Sequence, residues 1–236
     1  MKRKLPFRAA LSAILAATLI AFTLPTAASA TPTSSEEQAF QEMADGLSVF
    51  LSSHGVSEPT RAALIAKLHS GILLNSMDGS DPVSTQTFGG TTVETFADGS
   101  VRELKVETPV TPPAPGGISP MAGIAGCSSS TSGSYSYRTN CLVSRWDGII
   151  SQGFHADFTY VTPGYDRIDS VYSPTYAVFG ATSASQTYFG ILKKVENASG
   201  AARAEHRVSA QLPIIGSVSY YLRLNVGAGG ATAAAA

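Results

Sequence analysis

The chain has 236 residues and a formal net charge of −1, with 44% hydrophobic and only 14% charged residues. Four of its 16 basic residues are Lys2, Arg3, Lys4 and Arg8, and no acid lies among the first 30 positions, so the chain from Thr31 onward carries −5. A mildly acidic chain of low charge density is not drawn to phosphate backbones or anionic bilayers, which argues against nucleic acid as a partner.

The first 30 residues read as an export signal. The four cations precede an apolar run from Ala9 to Leu24, Pro25 breaks that run, and Ala28-Ser29-Ala30 supplies the small residues a signal peptidase needs. The run is short for a membrane span of about 20 residues, and no later segment is long and apolar enough to cross a bilayer. The expectation is a secreted, extracellular chain beginning near Thr31, with no transmembrane segment after cleavage.

Residues 31–107 are expected to form a helical hairpin followed by a β-hairpin. Ser34 and Glu37 match a capping box, and Phe40, Met43, Leu47, Phe50 and Leu51 follow at helical spacing up to His54-Gly55. Ser57-Glu58-Pro59 starts a second helix, with Ile65, Leu68 and Ile72 on its apolar face. The period then changes to two. Asp98-Gly99 between Thr91–Phe96 and Val101–Val106 signals a β-hairpin.

Residues 108–126 are rich in Pro and Gly and read as a semi-rigid linker, which predicts two separately folding parts. The stretch 127–227 reads as an antiparallel β-sandwich or small barrel, giving an α+β chain overall. Phe154, Ala156, Phe158 and Tyr160 alternate with polar residues, as do Val218, Tyr220, Leu222, Leu224 and Val226. Turn signals recur at Pro163-Gly164, Ser173-Pro174 and Ala198-Ser199-Gly200. The Gly/Ala-rich tail, 228–236, is expected to be disordered.

Cys127 and Cys141 are the chain's two cysteines. An exported chain meets an oxidising compartment, so the pair predicts one disulfide closing a loop of about 15 residues, worth roughly 3 kcal/mol. Two cysteines cannot fill a tetrahedral metal site, and no His lies between them.

Ser80-Asp81-Pro82-Val83-Ser84, Phe96-Ala97-Asp98-Gly99-Ser100-Val101, the Cys-to-Cys segment, Trp146-Asp147-Gly148 and Phe154-His155-Ala156-Asp157-Phe158 follow one another in this order. That layout resembles secreted proteins of actinobacteria to which no function is assigned. The resemblance implies a secreted two-part protein with a β-rich C-terminal part, and no activity.

Catalytic motifs are sparse. His155 and Asp157 share a strand face, but on its polar side, where solvated residues are the ordinary explanation. Asp166 and Asp169 flank a turn, where Asp commonly bonds its own backbone. His206 lies on an apolar face and reads as a half-buried core residue. His54 and His69 sit in the helical part, no Gly-x-Ser-x-Gly elbow appears, and no two histidines have four-residue metal spacing. Asp78-Gly79-Ser80-Asp81 has too few oxygen ligands for calcium, and Asn197-Ala198-Ser199 reads as a turn rather than a glycosylation site. No metal or cofactor is expected.

All nine tyrosines lie between 135 and 221. Tyr135, Tyr137, Tyr160 and Tyr221 are the candidate binding surface, since aromatic rings supply contact area at low entropy cost, although Tyr is also ordinary in strands. The sequence thus points to a secreted, non-enzymatic β-sandwich that binds a protein, a glycan or the cell envelope. A hydrolase with a non-standard site and a bacteriocin-like effector are the alternatives.

Overall fold

The computed structural model describes residues 34–109 and 126–236; the expected export signal and the bulk of the expected linker lie outside the described residues. Helix α1 (Ser34–Ser53) buries Phe40, Met43, Leu47, Phe50 and Leu51 and leaves Val49 on the opposite, solvent side. Gly55 ends it with φ at 73°, while the Val56 N–H donates to the Leu51 carbonyl at 3.0 Å. Ser57 caps α2 (Glu58–His69), and Leu64 and Leu68 are buried. This helix stops a turn sooner than the apolar pattern implies. Gly71 turns the chain at φ 80°, so Ile72 is 56% exposed, and Leu74 and Met77 enter the core in its place.

The expected β-hairpin forms as β2 (Thr91–Thr95) and β3 (Val101–Val106), and an unanticipated strand β1 (Ser84–Phe88) adds to β2. The hairpin does not stand apart from the C-terminal strands. Glu103 to Val106 of β3 pair with Trp146 to Val143 of β5 (Tyr135–Trp146), so the hairpin belongs to a seven-stranded antiparallel sheet. β4 (Ser128–Ser132) pairs with the other end of β5, and β6 (Ile150–Val161) and β7 (Arg167–Val178) complete that sheet. The second sheet has the order β11-β10-β9-β8, built from β8 (Ser183–Lys193), β9 (Ala202–Leu212), β10 (Gly216–Gly227) and β11 (Gly230–Ala235). The tail expected to be disordered is therefore an edge strand, with Ala231 opposite Val226 and Ala235 opposite Leu222. Its alanines add little side-chain area, but the ladder satisfies their backbone groups.

The sheets pack as a sandwich. One core cluster joins Val143, Phe154, Ala156 and Phe158 of the first sheet to Ala202, Ala204, Leu222, Leu224 and Val226 of the second. The disulfide Cys127–Cys141 forms as expected and lies in this cluster. A second cluster joins the helices to Ile149, Ile150, Val208, Leu212, Val218 and Tyr220.

The helices are thus the cover of one end of the sandwich, and the described residues pack as one compact unit where the linker suggested two. Each large helix residue gains about 1.5–3 kcal/mol from burial there. α1 is seated on glycines. A Cβ on Gly148 would come within 2.8 Å of Leu47, and one on Gly180 within 2.6 Å of the Ala39 carbonyl. His54 bonds Glu103 at 3.2 Å, and Lys67 bonds Asp98 at 2.8 Å, pinning both helices to the β2–β3 hairpin.

Candidate functional site

A crevice of about 440 Å³ opens between the sheets, walled by β3, β5 and β6 on one side and by the edge strand β11 on the other. Its apolar surface comes from Leu104, Val106, Phe158, Tyr160, Ala231 and Ala233. Strand alternation accounts for these: Phe158 and Tyr160 point between the sheets, and Ala233, opposite Leu224, does the same from β11. The small side chains of β11 leave open the space that larger residues would fill.

Arg138 brings the charge to this crevice. Its guanidinium carbon sits 5.2 Å from the centroid of the Tyr160 ring. Nη1 donates to Ser136 Oγ at 2.8 Å and to the Tyr137 carbonyl at 3.0 Å. A bulge puts it there. The β5–β6 register shifts between Arg138 and Cys141, with Asn140 at φ 56°, so Arg138 lies opposite Phe158 and shares its inward face. Burial raises the Tyr160 phenol above its ordinary pKa, although the neighbouring Arg138 acts the other way, so the hydroxyl keeps its proton at neutral pH. Glu107 also lines the crevice. Its Oε2 accepts the Leu142 N–H at 3.1 Å, and its own N–H donates to the Leu142 carbonyl, which extends the β3–β5 ladder by one residue.

The four candidate tyrosines occupy three separate places. Tyr160 is in the crevice. Tyr135 and Tyr137 stack on each other at 6.2 Å on the outer face of the seven-stranded sheet, with Arg167 over Tyr135. Tyr221 lies on the outer face of the other sheet, where Arg207 sits between it and Tyr188 at 5.5 and 5.3 Å. Arg207 and Arg223 both bond Glu205, whose side chain is wholly buried beneath them. Burial pushes the Glu205 pKa up, but the hydrogen bonds from Arg207 and Arg223 outweigh it and hold the carboxyl below its usual range.

The residues that could serve acid–base chemistry are engaged elsewhere. Asp157 Oδ1 accepts the N–H of the bulged Asn140 at 2.8 Å and the Tyr172 hydroxyl at 3.1 Å, and its Oδ2 accepts Ser170 Oγ at 2.7 Å. His155 stacks on Tyr172, and its Nδ1 lies 3.4 Å from the Asn140 carbonyl, not against Asp157. Asp157 therefore satisfies the donor that the bulge frees from the ladder.

Asp166 closes its own turn and reaches a second one: Oδ1 accepts the Val161 N–H across the β6–β7 turn and Oδ2 accepts the Gly229 N–H, at 2.8 and 2.7 Å. Asp169 instead pairs with Arg167 and accepts from Thr159 Oγ1. His206 is buried between the sheets, and neither of its nitrogens has a partner among the described residues; burial lowers its pKa. Asp78 accepts the Ser80 N–H, and Asn197 accepts the Ser199 N–H, so both segments are turns. Among the described residues no group of three or more His, Cys, Asp or Glu is placed to hold a metal ion.

Two features escape sequence reasoning. Arg138 stands beside the candidate Tyr137, and only the bulge at Asn140 puts it on the inward face. Arg145 and Asp147 alternate like surface residues, yet both are buried. Comparison with protein-family models, with curated proteins and with solved structures found no match.

Proposed function

We propose that this chain is an exported, non-enzymatic binding protein and that the crevice between its sheets holds the ligand. The crevice carries this reading: about 440 Å³ of space with a mixed lining, apolar along Leu104, Val106, Phe158, Tyr160 and the β11 alanines and polar at Thr87, Thr92, Thr108 and Thr232, and one convergent cation, within the range of about 300–1,000 Å³ common for small-molecule sites. Export is supported by the N-terminal pattern and by the Cys127–Cys141 disulfide, a bond that persists in oxidising compartments. No helix among the described residues is long and apolar enough to cross a membrane.

The test uses the neutral dye Nile red and protein recovered from culture medium. The wild type is expected to raise its fluorescence saturably. Ala233→Trp, which fills the crevice from β11, is expected to abolish the rise, and Tyr137→Ala, on the outer face, to leave it intact. A dye response unchanged by Ala233→Trp overturns the assignment.

A further inference from the structure

We infer that the crevice selects an amphipathic anion, with its apolar body against Phe158, Tyr160 and Ala231 and its carboxylate on the guanidinium of Arg138. The inference rests on the binding role proposed for the crevice and adds the chemistry of the head group.

Arg138 differs from the other inward-facing arginines. Arg102 bonds Glu94 at 2.8 Å and Arg145 bonds Asp147 at 2.7 Å. No carboxylate among the described residues lies within 4.0 Å of Arg138, although its residue is half-buried beside apolar side chains. A half-buried guanidinium with no carboxylate partner, set against the Tyr160 ring, gains from an anion more than a fully exposed arginine does.

The side chain is also oriented. Ser136 Oγ and the Tyr137 carbonyl hold Nη1, and the Tyr160 ring supports the plane. Nε and Nη2 have no partner among the described residues, and they form the edge of the guanidinium that takes a carboxylate through two parallel hydrogen bonds.

Glu107 sets the polarity of the site. Its carboxylate completes the β3–β5 ladder on Leu142 and makes no ion pair with Arg138. A ligand carboxylate is repelled by Glu107 and drawn to Arg138, which fixes which way the ligand enters. A cationic ligand would meet the reverse field, and a fully apolar one would leave Arg138 without an anion.

The experiment compares two probes on the exported chain: 11-(dansylamino)undecanoic acid and its methyl ester. The acid is expected to bind about tenfold tighter than the ester, the scale of one charge-assisted hydrogen-bond pair. Arg138→Gln is expected to remove that preference by weakening the acid alone, and Arg138→Lys to retain part of it. Glu107→Gln is expected to keep or enlarge it. Thermal unfolding of each variant separates a folded protein that lacks the head-group contact from a misfolded one. Equal binding of acid and ester by the wild type, or an acid affinity unchanged in folded Arg138→Gln, overturns the assignment of the head group while leaving the crevice in place. Failure of both probes together with Nile red removes the crevice itself.

Discussion

Arg145 and Asp147 face each other at 2.7 Å with both side chains fully buried at the β5–β6 hairpin. Both side chains are held by several further hydrogen bonds, and Arg145 Nε alone is buried without a partner among the described residues. Arg145 Nη1 donates to the main-chain oxygens of Tyr221 and Ala236, and Asp147 Oδ1 accepts the Ile149 and Ile150 N–H groups at 3.0 and 2.9 Å. The pair thereby ties the hairpin under α1 to the sheet opposite.

Breaking one half of such a pair leaves an uncompensated buried charge, at a cost of about 3–5 kcal/mol. Asp147→Asn keeps an acceptor for Ile149 and Ile150 but strands Arg145, and it should lower the unfolding free energy in urea by that amount. Arg145→Met combined with Asp147→Asn should cost clearly less than the sum of the two single variants. Additive losses would show that the two side chains are not coupled.

The seat of α1 is tested at Gly180. Its φ is 69°, and an added Cβ would meet the Ala39 carbonyl at 2.6 Å, a backbone atom that cannot swing away. Gly180→Ala should destabilise the protein by about 1–3 kcal/mol and should speed amide hydrogen exchange in α1. An equal change at Gly79, whose φ is 83° and where a Cβ meets nothing within 4 Å, controls for the positive φ alone. The two substitutions having equal effects would contradict the docking described.

Much of this architecture was legible in the sequence. Period-two alternation located β6 and β10, Asp98-Gly99 located the β2–β3 turn, and the helix caps located α1 and α2 within a few residues. Three things were not legible, each for a physical reason. Pro and Gly composition marked 108–126 as a boundary, but composition carries no information about β3 pairing with β5 across it. The alanines of β11 have no apolar period, because a strand held by its ladder does not need large side chains. The bulge at Asn140 reverses the face of everything before it, and no residue pattern announces it, so Tyr137 was a candidate while Arg138 beside it was not.

His206 predicts a pH dependence. Burial holds its pKa below the ordinary value, so the unfolded chain takes up the proton first as pH falls. Its stabilising effect is complete above about pH 6.5 and is lost progressively as pH drops below that value, by up to about 1.4 kcal/mol per pH unit until the folded-state pKa is reached. Asp98 and Glu205, whose folded-state values lie below the usual carboxylate range, act in the same direction in a more acidic window. Urea unfolding of wild type and His206→Phe at pH 7.5, 6.0 and 5.0 should show a loss in the first that is missing in the second. Parallel curves would assign the loss elsewhere.

The shared core predicts the outcome of a cut in the connecting segment. With a specific protease site inserted within residues 110–125, the cleaved protein should elute as one species under native conditions, because α1, α2 and β3 remain packed on β5, β9 and β10. It should separate into two fragments in urea. Release of a folded β fragment without denaturant would restore the two-part organisation.

The most direct measurement is an NMR titration of isotopically labelled protein with decanoate. Saturable shifts are expected at Arg138, Phe158, Tyr160, Ala231 and Ala233, with Tyr135 and Tyr221 unmoved. Shifts confined to the outer-face tyrosines, or none at saturating decanoate, would contradict the binding role of the crevice.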